Sequence, residues 1–114
     1  GEIAIVDDLL GTMKSVGLKD AEAVLCYRTY VDFLLAYAAT RAQYLLLTED
    51  VRRADDEAWA NVYGALSDED YPHVNELAEH LAAVEDDDVL VSGLQMLIDG
   101  IALRAARNSG GSAA

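Results

Sequence analysis

Residues 20–47 constrain the fold of this chain more than any other stretch. They contain neither Gly nor Pro, so nothing in the backbone interrupts a helix there. Asp20 is placed to cap its start, and Glu22 adds favourable negative charge in the first turn. At 1.5 Å per residue, about 28 residues make a rod of roughly 42 Å. A rod of that length in a small chain needs shorter elements packed around it.

The faces of this rod differ. At 100° per residue, Tyr30, Phe33, Tyr37 and Tyr44 fall in one narrow arc, with Cys26 inside it and Arg41 at its edge. Arg28, Thr29, Asp32, Thr40 and Gln43 form a thin polar strip. Val31, Leu35, Ala38, Ala39, Ala42, Leu45 and Leu46 cover much of the rest. A helix apolar nearly all round is buried on more than one side. The aromatic arc is read in two ways, as core filling or as a ligand wall whose hydroxyls and Arg41 anchor a small molecule. Both hold together if they apply to different parts of the arc. A membrane span is disfavoured, because Arg28, Asp32 and Arg41 would sit in hydrocarbon.

The composition fits one all-α domain: 114 residues, 53% apolar, with a single Pro. The net charge of −13 would be repelled by a phosphate backbone, so neither nucleic acid nor anionic membrane is expected to bind this chain itself. One Cys excludes an intramolecular disulfide and a Cys-based zinc site. The acidic start carries no basic targeting signal, and a reducing cytoplasm is the expected setting. A first residue Gly rather than Met suggests a piece of something longer.

Ile3, Val6, Leu9, Leu10, Met13 and Val16 recur at helical spacing, which predicts a helix over 2–16, with Gly17 and Leu18 as a Schellman-type stop. Gly11 weakens this helix or marks a close contact. The short turn that follows makes the first two helices antiparallel neighbours. A third helix starts at Thr48 or at Asp55, the second favoured for its acidic run. A fourth opens at Pro72, or one turn earlier at Ser67, and runs to about Val84. Carboxylates from Glu85 to Asp88 open the last helix, over about 87–107. Residues 1–108 are expected to form the domain and 109–114 a flexible tail. The predicted fold class is an all-α antiparallel bundle of about five helices.

Gly93 and Gly100 lie seven apart in the last helix and share a face, with Leu97 between them. Each costs about 1 kcal/mol against Ala, which close approach of another helix would offset. That helix lies either in the same chain or, as favoured here, in a second copy. The Ala-rich side of the long helix, with Ala38 and Ala42, offers a matching face. Two helices from each of two chains would then form a four-helix bundle.

Several segments follow in order along the chain: Val16-Gly17-Leu18, Asp20-Ala21-Glu22-Ala23, Tyr27-Arg28 near the start of the long helix, Tyr71-Pro72-His73-Val74, and the closing Gly93-Leu94-Gln95-Met96-Leu97-Ile98-Asp99-Gly100-Ile101. Together, over residues 9–107, they resemble the C-terminal regulatory domain of a TetR-family transcriptional repressor. The resemblance implies a homodimer built from the long and last helices, a ligand cavity in each subunit, and cytoplasmic regulation of transcription. Gly93, Leu97 and Gly100 match the family's dimer seam, joined here by Ala38 and Ala42. Two departures stand out. The DNA-binding helix-turn-helix half is absent from this chain, so DNA is met only through such a separate N-terminal domain. Leu90 or Val91 stands where the family usually has an aromatic residue before the closing motif.

No nucleophile elbow, phosphate loop or His-Glu-x-x-His motif is present, so no enzyme and no cofactor is expected. His73, Glu76 and His80 share a helix face, with Asp70 one turn earlier, but an exposed helix carrying a Glu76–His80 pair explains them without a metal. Cys26 reads as a buried, inert thiol. The expected effector is small and largely hydrophobic or aromatic, held by Tyr30, Phe33, Tyr37, Trp59 and Met96, with at most one anionic group directed at Arg41. A free-standing helical protein-interaction module is the alternative. It would have a filled core and an exposed groove in place of a cavity beside Tyr30–Tyr37.

Overall fold

The computed structural model describes the backbone of residues 1–113 and the side chains of residues 1–109. Five helices and, among the described residues, no strand make an all-α bundle: α1 Glu2–Ser15, α2 Asp20–Leu45, α3 Glu49–Ala65, α4 Pro72–Ala82 and α5 Asp86–Ala113. Two compact units divide them. The first holds Gly1–Tyr37 with Leu90–Ala114, the second Ala38–Val89.

In the first unit, α1 stops as its sequence dictates. Gly17 takes φ 112°, the left-handed region open to Gly at no steric cost. The Leu18 amide donates to the Met13 carbonyl at 3.3 Å and the Gly17 amide to that of Lys14 at 3.0 Å, the two bonds of a Schellman stop. That stop turns Leu18 inward, where it is 3% exposed. Leu18, Met13, Ala23, Cys26 and Ala105 form the core of this unit, with Tyr27 and Ile101 packed against it. Burying a side chain such as Leu18 or Met13 contributes about 1.5–3 kcal/mol. Asp20 does not cap α2. It lies inside the first turn, and its carboxylate pairs with Lys14 across the corner at 2.8 Å. The pair draws the Asp20 carboxyl below its ordinary range and raises Lys14, first through the hydrogen bond and then through charge.

The second unit contains the end of α2, α3, α4 and the first turn of α5. The last turn of α2 tightens: the Leu46 amide reaches both Ala42 and Gln43 carbonyls, each at 3.2 Å. α3 begins at Glu49 rather than near Asp55. Thr48 Oγ1 accepts from the Val51 amide at 3.3 Å, and this cap outweighs the acidic run, which falls mid-helix. Arg53 then pairs back to Glu49 at 3.1 Å, one turn earlier. The turn before α4 is closed by Ser67, whose Oγ accepts from the Asp70 amide at 3.2 Å. α4 starts with Pro72 in its first turn, a position with no hydrogen bond for Pro to remove. α3 and α4 pack on each other, and Asn75 Nδ2 donates to the Leu66 carbonyl at 2.9 Å, linking the end of α3 to α4.

α5 is longer than the sequence predicts, beginning at Asp86 and passing Arg107 to Ala113. Asn108 and Ser109 belong to this helix. The rest of the expected tail, 110–114, lies outside the residues whose side chains are described.

Candidate functional site

The aromatic arc of α2 is its covered side: Tyr30, Phe33, Tyr37 and Tyr44 are all half-buried and Cys26 is buried. In the first unit Phe33 is the pivot. Its ring lies 6.3 Å from that of Tyr37, one turn along α2. Its tip rests on the backbone of α5 at Gly93, where a Cβ would stand 2.4 Å from Phe33 Cζ. Gly93 is therefore occupied from within the chain, through a ring–backbone contact that any larger residue would obstruct. Tyr30, one turn before Phe33, continues the half-buried wall. Met96, expected on this wall, is 70% exposed.

Arg41 and Trp59 belong to the second unit. Arg41 forms an ion pair with Asp86 at the start of α5 and lies 5.5 Å from the centre of the Tyr44 ring. Arg52 lies 5.7 Å from the same ring. Burial pushes the Tyr44 phenol up, aided by Asp56 and Asp86 and opposed by the two arginines. The Arg41 guanidinium thus already has a carboxylate partner, and an anionic ligand group would have to compete with Asp86 for it. Trp59 is 54% exposed and tilts against Tyr63 with 5.7 Å between ring centres.

The residues read as a dimer seam separate into two kinds. Gly93 meets Phe33, whereas a Cβ at Gly100 would meet nothing within 4 Å. Leu97 is half-buried, and Ala38 and Ala42 are exposed. Beyond the seam, α5 leaves Val91, Met96, Ile98 and Leu103 exposed. The segment Asp86–Ser109 is long and apolar enough to cross a membrane, by length and composition, and little of it is buried. Asp99 and Arg104 interrupt it at a cost of roughly 2.5–3.5 kcal/mol each at the centre of a bilayer.

The family model described as tetracyclin repressor-like, C-terminal domain, matches residues 1–105. The chain belongs to that family. Comparison with curated proteins and with solved structures returns no match. The chain is thus a regulatory domain of the TetR type, from a family that in general binds ligands, dimerises and regulates transcription rather than performing catalysis. Among the described residues no group of His, Cys, Asp and Glu is gathered to hold a metal.

Sequence reasoning missed two features of this TetR-type domain. Helical period puts Tyr44 in the arc, but the pairing of Arg41 with Asp86 and the approach of Arg52 need the fold to bring them together. Asn108 Nδ2 donates to the Gly17 carbonyl at 3.0 Å and to Glu22 Oε1 at 2.9 Å. No local pattern points from residue 108 to the first corner of the chain.

Proposed function

We propose that the chain is the effector-binding and homodimerisation domain of a cytoplasmic TetR-type transcriptional repressor, and that its effector modulates DNA binding by a separate N-terminal domain. The observation that carries this reading is the half-buried wall of Tyr30, Phe33 and Tyr37 in a chain matched over residues 1–105 by the family of tetracyclin repressor-like regulatory domains. Such a wall suits a small, largely apolar or aromatic molecule. Dimerisation is supported by the open face at Gly100 and by the exposed Ala38 and Ala42 on α2. Two copies pairing α2 and α5 would make a four-helix bundle and cover apolar surface that one chain leaves in water.

Calorimetric titration with 2-naphthol and 2-naphthoate tests the effector reading. Tyr37→Ala weakens both probes if the arc is a ligand wall. Absence of binding by either probe, with Tyr37→Ala costing several kcal/mol of stability, assigns the arc to the core and favours an interaction module.

A further inference from the structure

The core of the first unit gathers where α1 ends, α2 begins and α5 passes, around Met13, Leu18, Ala23, Cys26 and Ala105. α5 grips this corner on both sides. Asn108 Nδ2 holds the Gly17 carbonyl on the turn and the Glu22 carboxylate in the first turn of α2, at 3.0 and 2.9 Å. One of these acceptors is backbone, so the turn itself is fixed and not merely a side chain attached to it. The other is charged, which makes that bond the stronger kind. Backbone also meets backbone here: a Cβ on Gly17 would stand 3.4 Å from the Ala105 carbonyl oxygen. Away from the corner, α1 loses this support. Ile3 is 81% and Ile5 62% exposed, and Val6, Leu9 and Leu10 are only half-buried.

We infer that Asn108 is the positioning residue that joins the α1–α2 corner to α5, so that α1 is a lever held at its C-terminal end and a shift of α5 passes into α1 through this joint. The amide is the group the site requires. It presents N–H donors to two acceptors, where Asp would face both with lone pairs and Ala would leave a part-buried carboxylate without this donor. The Lys14–Asp20 pair is a separate tie, binding α1 to α2 without α5. Use of the joint in regulation rests on the proposed function. The joint itself does not, and its test involves no effector.

The test is amide hydrogen exchange on the 114-residue chain as wild type, Asn108→Asp, and Glu22→Gln with Asn108→Asp. In the double variant the Gln amide donates to the new carboxylate, restoring one bond with its polarity reversed. Asn108→Asp is expected to speed exchange in α1 and at Val16, Gly17 and Leu18 by about tenfold or more, leaving α3 and α4 unchanged. The double variant is expected to recover most of the protection. If Asn108→Asp does not fold, Asn108→Ser, neutral but too short to reach both acceptors, gives the same comparison. Exchange at the corner equal to wild type overturns the inference. So does an equal acceleration in α3 and α4, which would make Asn108 a general stabiliser, or a double variant no better than the single one.

Discussion

Replacing Gly93 by Ala puts a methyl group 2.4 Å from Phe33 Cζ and 3.1 and 3.2 Å from the two Cε atoms. Carbon atoms pack best at about 3.5–4.0 Å, so the ring tip must retreat by about 1 Å or more. Two terms oppose each other. Ala in place of Gly in a helix interior gains about 1 kcal/mol, while overpacking costs about 1–3 kcal/mol. The expected net result is a loss of up to about 2 kcal/mol. Gly11→Ala, inside α1, is the internal control, since it carries the same helix gain and meets nothing within 4 Å. The difference between the two variants therefore isolates the overpacking cost. Urea unfolding followed by circular dichroism, at one protein concentration and with unchanged m-values, gives both numbers. A Phe33→Leu background should relieve Gly93→Ala, and a double-mutant cycle measures that coupling. If Gly93→Ala stabilises the chain as much as Gly11→Ala, the ring does not rest on α5 and the reasoning fails.

Three further outcomes follow from the same physics. Thr48→Ala should cost about 0.5–2 kcal/mol by removing the cap of α3, and a melting curve unchanged by it would return the start of that helix to Asp55. The lowered carboxyl of Asp20 gives stability above the ordinary carboxylate range that is lost as pH falls through its lowered value. The raised Lys14 gives stability below the ordinary lysine value that is lost as pH rises through its raised value. Lys14→Met should therefore bring the Asp20 titration, followed by carboxyl NMR, back toward the ordinary range, and an unmoved titration would contradict the pairing. With its charge of −13, the chain should not shift duplex DNA in a gel at low salt, and micromolar binding would refute the charge argument.

Local chemistry made part of this structure legible. Gly17 with Leu18 marks the end of α1 because only one residue type takes that backbone conformation easily. Pro72 marks the start of α4 because Pro loses nothing in a first turn. The aromatic arc names the covered side of α2 because helical period maps directly to face. What stayed hidden depends on partners distant in sequence. Asp20 looks like a cap until Lys14 claims it. Gly93 looks like a contact for any helix until Phe33 fills the space above it. Asn108, followed by Ser and Gly, reads as tail because such residues favour turns. Its amide instead meets Gly17 and Glu22 from within α5, and no spacing rule encodes that meeting.

The central claim is that this regulatory domain works as a pair of chains, and sedimentation equilibrium of the wild type tests it most directly. The account predicts a particle of two 12.3 kDa chains at tens of micromolar, which Gly100→Leu separates by overpacking the open face of α5. A wild type that sediments as a single chain at that concentration contradicts it.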